Sequence, residues 1–523
     1  MIFPNNFEQK IGIDKVRELI TEKCLSSLGE QKVAEMSFAT DFKTIDKWLE
    51  QTAEFKQILL NKEEFPVDNY LDLRSPLTAI MDDPTVWLNE HDIAELAKSQ
   101  ETVIQIADFI NKSNYAALKG AVASFATFPT IVDKANAIID KHSLMVKDNA
   151  SHELASIRSD KRDAVKEYNK SIQAALRDAQ KSGIVERNAQ VVMRDGFMTL
   201  PVSASNKRKI KGIIHQSSGN GKTVFIEPET VGQARKRVQE LETAERREVA
   251  RILIEFTAQV RPQTDGLLKT YELLAQTDFI RAKAGFAICI NGIKPVFEDK
   301  QQVVWYKAVH PLLNINMLVQ NKKANPLDIT LSGTDRLLIV SGANAGGKSM
   351  CLKTVALLQY MLQCGLLIPV QEGSRAGIFD HIFIDIGDGQ SMENNLSTYT
   401  THLTNMKFFV ANCTSRTLLL IDEFGGGTEP QIGGAMAETL LGRFNDRKAF
   451  GVITTHFSNL KQFAYETEGL VNGAMLYDAE EMRPLYQLAI GRPGHSFAVE
   501  VARSIGLPED IIQEATGKLA NAK

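Results

Sequence analysis

Over the first 147 residues, apolar side chains recur every three or four positions, the period of a helix with one buried face. The stretch "IDKVRELITEKCLSSLGEQKVAEM" shows this behind Asp14 as an N-cap, and "HDIAELAKSQETVIQIADFI" repeats it. The pattern predicts a helical core over 1–147. Residues 148–190 are polar, charged and helix-prone. Leu154, Ile157, Val165, Tyr168, Ile172 and Leu176 form their thin apolar stripe, as in a long exposed helix or coiled coil. Residues 229–262 have the same texture, and helix continues to about 300. Between them, "VVMRDGFMTLPVSAS" and "IKGIIHQSSGNGKTVFIEP" are β-branched and punctuated by Gly and Pro, which predicts hairpins. The expected arrangement is two antiparallel arms, 148–190 and the first part of 229–300, whose remainder is core helix, with a small β-rich tip at 191–228.

From 301 the pattern changes. The apolar runs "RLLIVSG", "DHIFIDIG", "RTLLLIDE" and "AFGVITTH" alternate with helical segments. Strands that are apolar throughout, rather than at every second position, are buried on both faces, as in a parallel sheet. The expected fold is therefore a mainly α N-terminal part with long helical arms and a small β tip, followed by an α/β domain over 301–523.

Composition narrows the function. A chain of 523 residues suffices for about three or four domains. Its net charge is -4, so it is no polycation, and any nucleic-acid surface has to be local. The five cysteines show neither CxxC nor zinc spacing, the pattern of reduced cytosolic thiols. The first residues lack a basic-then-apolar signal, and no apolar run approaches the ~18 residues of a membrane span. A cytoplasmic protein without a membrane partner is expected.

Two segments end in the Gly-Lys-Ser/Thr of a phosphate loop. Gly221-Lys222-Thr223 has Gln216 where the loop needs its first glycine, and it runs into strand-like "VFIEP" instead of a helix. Its glycines are expected to serve a turn. Gly342-Ala343-Asn344-Ala345-Gly346-Gly347-Lys348-Ser349 fits GxxxxGK[ST], follows the strand "RLLIV" and opens the helix "KSMCLKTVALLQYML". There backbone N–H groups from Gly342 to Met350 can turn toward phosphate oxygens, with the positive end of the helix behind them. Lys348 would reach the β- and γ-phosphates, and the Ser349 hydroxyl would ligate Mg²⁺. "RTLLLIDEFGGGT" supplies Asp422 to hold Mg²⁺ and Glu423 to polarise the attacking water. His456, at the end of "GVITTHF", is placed to contact the γ-phosphate or orient water. "DGQSMENNLSTYTTHL" leads into a helix capped by Ser397 or Thr398.

Lys207, Arg208, Lys209 and Lys211, with Arg194 and Lys222 nearby, form the basic cluster of the tip; Arg235, Lys236 and Arg237 add charge on an arm. A run of charge is commonly just a solvated face; as a phosphate contact it would be salt-dependent and indifferent to sequence. Phe197 and Phe225 are too few for a stacking platform.

"SGANAGGKSM", "DGQSMENNLSTYTTHL", "LLLIDEFGGGTEP" and "ITTHF", in this order, resemble the MutS ATPases. "HPLL" followed by "ANPLDI" fits too. "RDGFMTLPV" and "GIIHQSSGNGKTVFIEP" look like the clamp of the second bacterial MutS branch, which has no mismatch-reading domain. The resemblance implies an ABC-like ATPase using ATP and Mg²⁺ as a homodimer. Lys348, Ser349, Asp422 and Glu423 would play the roles above. Ser397 would be the signature serine presented to ATP on the opposite subunit, and His456 the switch histidine. The arms would be levers and the tip a clamp on DNA. Ala343 stands where the family usually has Pro. Lys322 stands where the repair branch has an adenine-stacking aromatic, so the resemblance supplies no such residue. The branch continues beyond "LPEDIIQEATGKLANAK" into a coiled coil and a small Smr nuclease domain, so no nuclease is expected from these residues. The expected substrate is branched or recombination-intermediate DNA. The alternative is a stalled or collided ribosome, split through rRNA contacts. A small-molecule kinase would need an Arg-rich lid after the loop, and a coiled-coil scaffold with a degenerate nucleotide fold is told apart by Glu423→Gln, which in an ATPase should still bind ATP and lose turnover.

Overall fold

The computed structural model describes residues 1–219, 221–342, 347–387, 398–478, 483–493, 502 and 506–521. They form two compact units. One comprises Met1–Phe65, Phe109–Ser124 and Leu273–Lys523, the other Pro66–Asp108 and Phe125–Glu272.

The first unit is built on a seven-stranded sheet. Its order is Ile2–Phe3, His381–Asp385, Thr417–Ile421, Phe450–Thr454, Leu337–Ser341, Leu470–Asp478, Arg483–Ile490. All neighbours are parallel except the last pair. The three central strands are buried at every position, as their unbroken apolar runs require. Strand side chains alternate between faces. Leu338, Val340, Leu418, Leu420 and Val452 therefore join the helix Lys348–Gln363 on one face. Leu337, Ile339, Leu419, Ile421 and Ile453 meet the helices Thr398–Asn412, Pro430–Asp446 and Ser458–Glu466 on the other. The helix Lys348–Gln363 is buried along almost its whole length, and its polar Gln359 and Gln363 hydrogen-bond inside, to each other and to the Gly377, Ala39 and Phe379 carbonyls. A smaller sheet, Val296–Phe297, Arg375–Ala376, Val303–Ala308 and Leu327–Leu331, packs into the first of these cores.

Two details depart from the sequence expectation. The N-terminus contributes a strand: Ile2 and Phe3 pair with Ile382 and Phe383, and Phe3 stacks on Phe408 at 4.1 Å. Two residues are too few to show a period. The helix Ile13–Thr21 is capped by Gly12, not Asp14, because left-handed Gly12 makes the turn from the preceding helix Phe7–Ile11.

The second unit contains the long helices His152–Lys181 and Glu229–Val260, which pack antiparallel. Ser151 Oγ donates to Glu248 at 2.6 Å, and Arg158 and Lys161 pair with Glu245 at 2.8 and 2.7 Å. Toward the other end Ile172, Leu176, Ala179 and Val231 pack on Leu200, Val202, Val224 and Ile226 of a four-stranded antiparallel sheet. Its order is Val192–Arg194, Phe197–Ser203, Thr223–Pro228, Gly212–Ser217. Of the stripe read from the sequence, Leu154, Ile172 and Leu176 are buried, and Ile157, Val165 and Tyr168 are half-buried. Among the described residues no helix is long and apolar enough to cross a membrane.

Candidate active site

In a parallel α/β sheet, ligands bind beyond the carboxyl ends of the strands. The strand Leu337–Ser341 ends there at Gly342, and the helix Lys348–Gln363 begins at Gly347. Gly342 has φ +134°, and a Cβ on it would lie 3.0 Å from the Met475 carbonyl oxygen. Gly347 has φ +90°, and a Cβ there would lie 2.9 Å from Tyr486 Cδ1. Both positions need glycine on backbone and space. No side chain caps the helix start. Ser349 and Met350 are exposed in its first turn.

Lys348 is only 3% exposed. Its ammonium donates to the Gly342 carbonyl at 2.9 Å and lies 3.1 Å from His456 Nε2. Burial lowers its pKa to about 8, against the opposing pull of Asp422 and Glu423. The pKa of His456 is lowered by burial and then by Lys348. Beside protonated Lys348 the imidazole accepts at Nε2, so its proton sits on Nδ1.

The acidic pair follows the strand Thr417–Ile421. The Asp422 N–H donates to the Asp385 carbonyl at 2.9 Å. Asp422 Oδ1 accepts from the Thr454 hydroxyl at 2.5 Å, and Thr454 Oγ1 in turn accepts the Glu423 N–H at 2.9 Å. Glu423 has φ +49°, unusual for a residue with a long side chain. Beside it the Asp385 carboxylate is bonded by His402 and, at 2.7 Å, by Asn405, and the His402 ring meets Phe424 edge-on.

A cavity of about 340 Å³ adjoins the helix start. Ala308, His310, Met317, Asn325, Cys351 and Tyr486 are among its walls, and Gly347 opens into it. The sequence reading missed Tyr486, which is 46% exposed, and Asp385, His402 and Thr454. "IFIDIG" could have pointed to Asp385 as a second acid-ended strand.

Lys348, His456, Asp422 and Glu423 are thus gathered at one sheet edge, with Ser349 in the adjoining helical turn. Ala343, Asn344, Ala345, Gly346 and Ser397 lie outside the described residues. Arg194, Lys207, Arg208, Lys209, Lys211 and Lys222 are all exposed on the small sheet of the other unit. By register, the backbones of Lys222 and Lys207 lie beside the Ser203–Thr223 end of the sheet and that of Lys211 beside the Pro228 end, a strand length of roughly 17 Å away. The Arg194 guanidinium sits 4.6 Å over the Phe225 ring, and that of Arg235 4.7 Å over Phe197.

A parallel sheet with a GxxxxGK[ST] connection from strand to helix, and an acid-ended strand one strand further along, defines a phosphate-loop α/β domain. Residues 338–523 match the family model described as MutS domain V. The chain is 34% identical over 522 residues to an endonuclease MutS2 of Geobacillus sp. (strain WCH70), covering 98% of this chain and 64% of that protein. It is 34% identical over 517 residues to the endonuclease MutS2 of Thermomicrobium roseum, and 32% identical over 510 residues to that of Bacillus velezensis. Both matches cover 97% of this chain and 64% of the relative. The chain belongs to the MutS family, and it spans less than two thirds of the length of these relatives.

Proposed function

We propose that the chain is an ATP-hydrolysing, homodimeric nucleic-acid clamp that acts on branched or recombination-intermediate DNA without reading mismatches. The observation that carries this reading is the convergence of Lys348, His456, Asp422 and Glu423 at one sheet edge. The triphosphate lies against the first turn of the helix Lys348–Gln363, where N–H groups and the helix dipole favour an anion. Lys348 sets a fixed positive charge against the β- and γ-phosphates. The cavity beside Gly347 takes the base, with Tyr486 as its stacking face. The Ser349 hydroxyl and Asp422 carboxylate are hard oxygen donors, which suits Mg²⁺, an ion held by one or two protein oxygens together with substrate phosphates. Bound Mg²⁺ would offset the charge that builds on the phosphates. Glu423 orients the attacking water and takes up its proton, and His456 accepts from Lys348 and so keeps the ammonium aimed.

The long helices serve as lever arms and the small sheet as the clamp, whose exposed lysines meet the phosphate backbone. Ser397 is presented to ATP on the partner. The relatives are named endonucleases; this proposal assigns no nuclease to the residues of this chain.

Glu423→Gln tests the reading. The variant is expected to keep ATP affinity within about threefold and to lose roughly a hundredfold or more in turnover. Turnover at the normal rate would remove Glu423 from its role. Phosphate release should rise with four-way more than with linear duplex DNA, and the rise should fade with salt. Stimulation by ribosomes alone would move the clamp to rRNA.

A further inference from the structure

We propose that Thr454 is a positioning residue of the hydrolytic centre, one hydroxyl that holds both members of the acidic pair; this rests on the ATPase reading above. Thr454 ends the strand Phe450–Thr454, which runs parallel to Thr417–Ile421 with Ile453 opposite Ile421. That register sets Thr454 beside Asp422. The side chain is 1% exposed, so its hydroxyl cannot turn to bulk water. Its one proton goes to Asp422 Oδ1 at 2.5 Å, and its oxygen receives the Glu423 N–H at 2.9 Å. The Thr454 carbonyl also accepts the Phe424 N–H at 2.8 Å. Three consecutive residues of the acidic segment are therefore tied to one threonine.

The backbone gives those bonds a purpose. A left-handed backbone is unfavourable for any residue other than glycine, and such conformations persist only where the surroundings over-determine them. Glu423, at φ +49°, is held from before by Thr454 and from behind by the Gly426 N–H on its own carbonyl at 2.9 Å. Without the hydroxyl, the Glu423 N–H loses its acceptor and the Asp422 carboxylate its donor. Both carboxylates would then sample other directions. The next residue, Thr455, just beyond the strand, bonds only backbone groups, donating to the Phe424 carbonyl and accepting the Phe457 N–H, each at 3.1 Å, whereas Thr454 reaches a carboxylate.

Thr454→Val keeps the shape and the β-branch while deleting the hydroxyl, and Thr454→Ser restores it. The measurements are phosphate release from ATP over a Mg²⁺ titration, binding of a fluorescent ATP analogue, and thermal unfolding. Thr454→Val should lower kcat roughly ten- to a hundredfold and raise the half-saturating Mg²⁺, with analogue affinity changed by less than about threefold. Thr454→Ser should recover most of kcat and the Mg²⁺ midpoint. Wild-type turnover by Thr454→Val overturns the proposal. So does loss of analogue binding and folding that Thr454→Ser fails to restore, because the role would then be structural. Absence of phosphate release from the wild-type chain would instead remove the ATPase reading, and this inference with it.

Discussion

Two Gly-Lys-Ser/Thr triplets in one chain end in opposite environments. Gly347-Lys348-Ser349 begins a helix after a buried parallel strand, and its lysine is shut in beside His456, Asp422 and Glu423. Gly221-Lys222-Thr223 closes a hairpin: the Gly221 N–H donates to the Ser218 carbonyl at 2.8 Å, and the next strand starts at Thr223. Lys222 there is exposed. The tripeptide carries no chemistry of its own. Left-handed glycine serves a turn in either place, at φ +90° for Gly347 and +69° for Gly221. What differs is whether a helix dipole and acidic strand ends lie beyond it.

The contrast can be tested in order of expected effect. Lys348→Met should lower kcat/KM for ATP by at least roughly a hundredfold, through loss of a charge fixed against the phosphates. Lys222→Met should leave it unchanged and, in titrations of DNA binding against salt, reduce the slope by about one at most. Equal effects of the two on hydrolysis would erase the distinction. Tyr486→Ala should raise KM for ATP roughly tenfold with kcat little changed, the size expected for a lost base–aromatic stack. Tyr486→Phe should do neither.

Gly347→Ala combines left-handed strain with a contact at Tyr486 and should weaken binding of a fluorescent ATP analogue about tenfold. Gly221→Ala has the strain alone, about 1 kcal/mol, with no atom within 4 Å of the added Cβ. Its thermal midpoint should fall slightly while hydrolysis stays normal.

A third lysine is buried with no carboxylate beside it among the described residues. Lys283 is 2% exposed, and its ammonium meets the Gly365 carbonyl at 3.3 Å and the Phe279 ring at 4.6 Å. Burial lowers its pKa to about 7. The unfolded chain keeps that proton up to about pH 10. Between these values the unfolded state binds more protons, so stability rises with pH and is lowest below 7. Lys283→Met should be more stable than wild type near pH 7, and the gap should close toward pH 10 in thermal unfolding series. A gap independent of pH would mean that Lys283 is not buried as a charge.

Much of this architecture was legible locally. The unbroken apolar runs "RLLIV" and "TLLLI" identify buried parallel strands, because a strand covered on both faces has no polar side. The three-to-four spacing around Ile172 and Leu176 identifies a helix with a narrow seam. The glycines at 342 and 347, spaced before Lys348, mark a strand-to-helix turn, because few other residues adopt such backbone angles. These are short-range properties, carried by neighbouring residues. The tertiary structure alone decided that Thr454 stands beside Asp422, that Tyr486 closes the cavity at Gly347, that His402 and Asn405 grip Asp385, and that Ile2 and Phe3 extend the sheet. It also spread the basic residues over both ends of the small sheet, although they are close in sequence. The reason is physical. Strand order and register bring together side chains dozens to hundreds of residues apart, and they follow from packing both faces of the sheet at once, which no local window of sequence encodes.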